Sequence, residues 1–318
     1  MSDTNGNDVP AWSAGFSIRR TVYAIWLLLA VPELAHAWGS ATHVAEGTYI
    51  LNHLGLLLPV VAEVIGRFPR DFLYGCLGAD IFVGRGSRRT KRHCHNWEVG
   101  FDVLDRASTD QQEAFAYGYL SHLASDVVAH NFYVPNLFAE GRTRGRLTHS
   151  YWEFRAEVLH DAQFFSLARS VAVGDHEQHD ELMRKTTRRA VIPFRAKKGL
   201  FVSSLILCER EKMNGCPTVR RTLHRYPLDP QFVYHMQSLA LGLAVDVLRR
   251  PQHSPCLAYD PIGATNLVIS TQLAKRLSGG SGLLFAVPPE LLEIALPYPH
   301  LTTAQFEGTV GRASRAKS

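Results

Sequence analysis

Cysteine is scarce in this chain of 318 residues: there are five, an odd number, with no CxxC pair among them. That excludes a zinc-finger pattern and a small disulfide-dense scaffold. Only Cys208 and Cys216 stand close enough in sequence to suggest a bridge. Long apolar runs are also missing. Beyond residue 37 every apolar stretch is interrupted by charge or proline, whereas a spanning helix needs about 20 apolar residues. Period-two alternation between hairpin turns is rare, and no internal repeat is visible. Neither G-x-S-x-G nor a paired Cys/His points to a protein nucleophile. With strands excluded by pattern, an all-α, multi-helix bundle is expected.

What is present begins with histidine, at 15 residues, a scarce residue type and a good zinc ligand. Hydrophobic residues at 46% and charged residues at 20% suit a globular chain with a substantial core. The formal charge of +5 favours anionic partners, phospholipid surfaces or nucleic acid, without choosing between them.

The first 37 residues read as a targeting segment. Arg19-Arg20 precede the apolar run Thr21–Val31, and Ala35-His36-Ala37 is a small-x-small cleavage site. This is the pattern of a secretory signal peptide, so secretion or periplasmic export is expected. A Sec signal fits, and the paired arginines also allow a twin-arginine one. The alternative is an uncleaved anchor.

Helical periodicity predicts helices over 42–58, 110–130, 149–173, 178–190, 196–213, 229–248 and 262–277, with Thr109-Asp110 as a cap. Residues 80–95 read as a basic loop and 131–147 as a second, Gly/Arg-rich one. A zinc-binding core is expected over 38–165, further helices over 166–307, and a disordered basic tail over 308–318.

The chemistry concentrates in Tyr119-Leu-Ser-His122-Leu-Ala-Ser-Asp126-Val-Val-Ala-His130. Each step of four residues advances about 40°, so the three polar residues share an arc of about 80° on one helix. Leu123, Val127 and Val128 beside them suggest a buried site. Core histidines bonded to backbone or carboxylate are the plainer alternative. His149 and Glu153 repeat the i, i+4 pairing on a new helix, and facing helices that each project a His and an acid build multinuclear sites. Asp80, His93 and His95 add ligand types on the basic loop, and His43 follows Trp38 at the expected cleavage point.

These segments, Trp38-Gly-x-x-Thr-His43, Gly78-x-Asp80-Ile, His95-Asn-Trp97, Tyr119-x-x-His122-x-x-x-Asp126-x-x-x-His130-Asn and His149-x-x-x-Glu153, resemble in order the zinc-dependent phospholipase C family. That family is similar in fold to the secreted zinc nucleases that cut single strands. The resemblance covers roughly residues 38–160. It implies an all-α domain with a cluster of three zinc ions and a phospholipid or membrane-surface substrate, ahead of nucleic acid and with no stable protein partner. One zinc would use the α-amine and carbonyl of Trp38 with His43, and Asp126 would bridge. A second would use Asp80, His95, His122 and Asp126, and a third His130, His149 and Glu153. Asp80 would also act as the catalytic acid–base group. His95 is preferred to His93 because Asn96-Trp97 follows it. The Asp126–His130 interval is shorter than in the compact bacterial phospholipases C, and the short Trp38–His43 interval resembles the nucleases. A single-strand nuclease, or a zinc-stabilised protein without turnover, are the alternatives.

Three further features stand outside the resemblance. Residues 175–181 (Asp-His-Glu-Gln-His-Asp-Glu) carry ligand types at close spacing and read as a solvated helix start, with extra metal binding as the alternative. Arg85–Arg92 offer charge to phosphate. Phe132, Tyr133 and Phe138 could line a pocket or simply pack.

Overall fold

A computed structural model describes residues 38–81, 93–139, 148–187, 193–214, 226–276 and 284–297. Among these residues there is no strand. The targeting segment, the arginine cluster 85–92, Cys216 and the tail lie outside them; Cys208 carries a free thiol.

The bundle is built around α5 (Asp110–Val128). Its start is fixed by Thr109, whose hydroxyl accepts from the Gln112 amide at 3.2 Å, with Asp110 and Glu113 in the first turn opposing the helix dipole. From Ala114 to Val128 every residue is buried, so beyond its first turn α5 has no solvent face and is the central helix. Packed on it are α2 (Pro59–Arg67), α3 (Pro69–Ile81) and α4 (Trp97–Asp105). α1 (Ser40–Asn52) packs against α3 and against the later helix Ala162–Ala172.

α3 and α5 cross in close contact for a reason visible in two glycines. A Cβ added at Gly75 would meet the Phe115 carbonyl at 2.0 Å, and one added at Gly118 would meet the Phe72 carbonyl at 2.0 Å. With hydrogen at both positions the two backbones touch. The approach brings the C-terminal turn of α3, and with it Asp80, against the inward face of α5.

Several boundaries differ from the sequence expectation. The first helix ends at Asn52, and Leu54–Leu56 form a separate 3-10 turn. α5 runs into a π turn at Ala129–Tyr133, so the i+8 stripe is not one straight helix and His130 is rotated onto a different neighbourhood. The expected helix over 149–173 is two, α7 (Thr148–Glu157) and α8 (Ala162–Ala172). It breaks where His160 turns inward to Thr42 Oγ1 at 2.9 Å and Gln237 Nε2 at 3.0 Å. The second loop is also corrected, because Asn131–Tyr133 finish the π turn and α6 (Val134–Ala139) follows.

The later helices are α9 (Glu177–Thr186), α10 (Phe194–Asn214), α11 (Pro230–Arg249), α12 (Ala264–Arg276) and the short α13 (Pro289–Leu292). α11 starts at Asp229, which accepts from the Gln231 amide at 2.9 Å, and it packs directly on α5. α12 packs on α6. The residues after 226 therefore share one hydrophobic core with the first helices. No helix among the described residues is long and apolar enough to cross a membrane.

Candidate metal centre

His122 and Asp126 lie one turn apart on α5, and both are buried. Asp126 presents its two oxygens to different neighbours. Oδ1 faces His43 Nε2 of α1 at 3.2 Å. Oδ2 faces His95 Nε2, from the segment entering α4, at 3.1 Å, and His122 Nε2 at 3.2 Å. Asp80 Oδ1 stands 3.2 Å from His95 Nε2 and 3.7 Å from His122 Nε2. Three imidazoles and two carboxylates thus converge from α1, α3, α5 and the α4 approach.

The rings are held from behind. His122 Nδ1–H donates to the Cys76 carbonyl at 2.8 Å, and His95 Nδ1 lies 3.4 Å from the Cys94 sulfur. Tying Nδ1 leaves Nε2 as the inward lone pair, the arrangement typical of metal-ligating histidine. Neither ring nitrogen of His43 and neither oxygen of Asp126 makes a directed hydrogen bond, although all are buried. Contacts near 3.2 Å without hydrogen-bond direction are what lone pairs aimed at a shared cation produce. Imidazole and carboxylate are also zinc's preferred nitrogen and oxygen donors, so the donor set fits zinc.

Electrostatics follow the same geometry. Burial alone would push the Asp126 carboxyl up, but the His122 charge and the facing imidazoles of His122, His43 and His95 hold it well below the usual carboxylate range. For His122, burial is outweighed by the Asp126 and Asp80 carboxylates, and its pKa rises. His43 goes the other way, lowered by burial and then by the neighbouring His122 ring, stacked on it at 3.9 Å.

A second group forms after the π turn. His130, His149 and Glu153 each place a ligand atom within 4.8 Å of the others, with His149 Nε2 2.9 Å from Glu153 Oε1. His130 Nδ1–H donates to the Pro261 carbonyl at 2.5 Å, again leaving Nε2 inward. Burial, and then the charge of His149, lower the His130 pKa to about 3, which keeps the ring neutral and able to bind metal.

Of the residues expected from sequence, eight side chains are gathered into these two groups: His43, Asp80, His95, His122 and Asp126 in one, His130, His149 and Glu153 in the other. Asp80 sits in the last turn of α3, not on a loop. His95 faces the carboxylates, whereas His93 turns back to accept from the His95 amide at 3.1 Å. The Trp38 indole is buried, stacked on Tyr133 at 4.8 Å, and donates to the Ser125 carbonyl at 3.1 Å. That anchors the start of the described chain one residue from Asp126. In the full-length chain the Trp38 nitrogen is a peptide amide bonded to Ala37. Tyr133 donates to the Trp152 carbonyl at 2.9 Å and is core, while Phe138 lies edge-on to His149 at 6.1 Å.

Sequence reasoning missed the supports. Glu46 is buried 4.0 Å from His43 Nδ1; its i+3 position on the same helix was the available signal. Glu157, one turn beyond Glu153, caps α1 across the site: its carboxylate accepts from the Ala41 amide, the Thr42 amide at 3.4 Å and Thr42 Oγ1 at 3.0 Å. Gly39 leaves room for it, since a Cβ there would lie 2.1 Å from Glu157 Oε2. The Cys76 and Pro261 carbonyls carry no side-chain signal at all.

Residues 42–195 match the family model described as zinc dependent phospholipase C. No curated protein and no solved structure matches the chain.

Proposed function

We propose, from the premise that residues 42–195 make this chain a member of the zinc-dependent phospholipase C family, that it cleaves phospholipid at the phosphate–glycerol bond. The products are diacylglycerol and a phosphorylated head group. The observation that carries this reading is the Asp126 carboxylate, whose oxygens are split between His43 on one side and His95 with His122 on the other. One acid serving two donor sets is what a multinuclear hydrolytic centre requires.

His43, Asp80, His95, His122 and Asp126 would hold two ions, with the main-chain nitrogen of Trp38 completing the first after cleavage at Ala37. His130, His149 and Glu153 would hold a third. When bound, zinc supplies Lewis acidity toward phosphoryl oxygen and makes water acidic near neutral pH. The protein's part is position and proton transfer. Asp80, whose Oδ1 lies 3.2 Å from His95 Nε2, accepts the proton of the attacking water. The same proton then passes to the glycerol oxygen as its bond to phosphorus breaks and the water oxygen's bond forms. Burial of the carboxylates and imidazoles keeps bulk water from competing with the bound phosphate. We infer that the enzyme acts after export, a reading supported by Arg19-Arg20, the apolar run 21–31 and Ala35-His36-Ala37.

The test is an assay of purified protein starting at Trp38 against phosphatidylcholine, phosphatidylinositol and single-stranded DNA. Diacylglycerol release is expected. Turnover of DNA alone would overturn the phospholipid reading in favour of a nuclease, and turnover of none would favour a zinc-stabilised structural protein.

A further inference from the structure

The signature of the metal centre recurs at the opposite end of α3. Asp71 lies in the first turn of that helix, nine residues before Asp80 and so about 13 Å away along the axis at 1.5 Å per residue. Against it stands the start of α9, where His176 is the N-terminal cap and His179 follows one turn later. Their relative exposures are 5% and 1%. The His176 ring stacks on Tyr74 at 3.5 Å, and the His179 ring on Phe115 at 4.9 Å. Both rings are therefore fixed in place.

Each ring is also tied by one nitrogen only. His176 Nε2–H donates to the Val171 carbonyl at 2.7 Å, and His179 Nε2–H donates to Asp71 Oδ1 at 2.5 Å. With the proton on Nε2, each Nδ1 is a lone pair. Both Nδ1 atoms are buried and neither has a hydrogen-bond partner. A buried imidazole lone pair without a donor is costly, and each of the two rings, whose centroids lie 5.9 Å apart, carries one. A ligand atom from each of Asp71, His176 and His179 lies within 4.8 Å of the others. The nearby cations are already engaged: Arg70 Nη2 donates to the Ser170 carbonyl at 3.0 Å, and Lys198 pairs with Asp180 Oδ2 at 2.9 Å. The Asp71 side chain is 22% exposed, so the cluster reaches solvent at one edge.

We propose that Asp71, His176 and His179 form a further metal site, separate from the candidate hydrolytic centre, that takes a zinc-like transition ion and pins α9 to α3. The two imidazoles supply nitrogen ligands. Asp71 supplies the anionic charge and orients His179 as a carboxylate orients a metal-bound histidine. Two imidazole nitrogens, one of them backed by a carboxylate, suit zinc rather than calcium or magnesium, which prefer all-oxygen shells. The stretch 175–181, read from sequence as a solvated helix start, thus has an inward face.

The decisive experiment uses the unaltered chain. Crystals equilibrated with zinc chloride would be measured at the zinc absorption edge. An anomalous peak at bonding distance from His176 and His179 is expected. Absence of that peak overturns the site, whatever appears around Asp126. A peak here with none around Asp126 would sink the hydrolase reading and leave this site standing. As a second measure, zinc content after dialysis should fall by one ion per chain in His176→Gln/His179→Gln, with diacylglycerol release within about twofold of the parent. Equal zinc content in the folded double variant would overturn the proposal.

Discussion

The described residues between 38 and 157 and those between 226 and 297 do opposite kinds of work around one centre. The first stretch supplies the side chains of both candidate ligand groups. The second supplies none of them, and its contribution is mostly main chain. The Pro261 carbonyl orients His130, the Asp260 carbonyl accepts from Asn131 Nδ2 at 2.8 Å, and the Tyr259 carbonyl accepts from Trp97 Nε1 at 2.9 Å. Phe285 exchanges two hydrogen bonds with Asn136. Ligand chemistry needs particular residue types at particular spacings, so it leaves motifs. Orientation by carbonyls needs only a backbone in the right place, so it leaves none.

The sharpest break of that contrast is Asp126→Asn. Losing the shared anionic charge should remove at least about 100-fold of activity, beyond the 10- to 100-fold typical of an outer-shell change. Zinc content per chain should fall with it. Near-normal turnover in this variant would mean that the first region's ligands do not act as the spacing suggests.

Next in size is a pH effect on stability that belongs to the first region but involves no ligand. Burial, opposed by hydrogen bonds from Ala41 and Thr42, leaves the Glu157 pKa raised to about 7. The folded state therefore holds this proton more tightly than the unfolded chain does. Its stabilising contribution is complete below the ordinary carboxylate range and is lost as pH rises through about 7. Glu157→Gln, which is neutral throughout, should flatten the fall in unfolding free energy between pH 5 and 7 by on the order of 2 kcal/mol. Denaturant titrations at the two pH values measure this. Parallel curves for parent and variant would show that Glu157 is ionised in the fold.

How much was legible follows from these same residues. His122, Asp126, His149 and Glu153 could be paired on sight, because i, i+4 spacing on a helix places side chains together wherever the helix goes. The segment that became α3 could not be read as a helix. Its residues from Phe72 to Ile81 are buried without exception, so it has no polar stripe and hence no period to detect. Asp80 was consequently assigned to a loop although its partners were named. The break at His160 and the π turn at Ala129 depend on contacts with Thr42, Gln237 and Pro261, which lie more than 70 residues away in sequence. No local pattern encodes them. The pair His176 and His179 was legible as ligand types, with metal binding only the lesser reading, and its partner was illegible because only the fold puts Asp71 beside them.

A smaller effect sharpens the contrast from the second region's side. Asn131 is a first-region residue that grips the second through Asp260 and Asn266, the latter donating to the Asn131 carbonyl at 3.1 Å. Asn131→Ala keeps every candidate ligand and removes the side-chain bond that holds the Asp260–Pro261 backbone near His130. A loss of about 10-fold in kcat/KM is expected, at the low end for outer-shell partners. Unchanged kinetics would show that packing of α12 on α6 alone fixes the Pro261 carbonyl.

The smallest effect tests whether the two regions are one folding unit. Thr109 caps α5 in the first region and Asp229 caps α11 in the second, each accepting one amide hydrogen bond. Thr109→Ala and Asp229→Ala should each cost about 1 kcal/mol, the usual worth of such a cap. The two helices pack directly on each other and share one buried core. Both substitutions should therefore shift a single unfolding transition, seen alike by circular dichroism and tryptophan fluorescence, and their costs should add because the caps share no partner. Two separable transitions, one moved by each variant, would show instead that residues 226–297 fold apart from the ligands they hold.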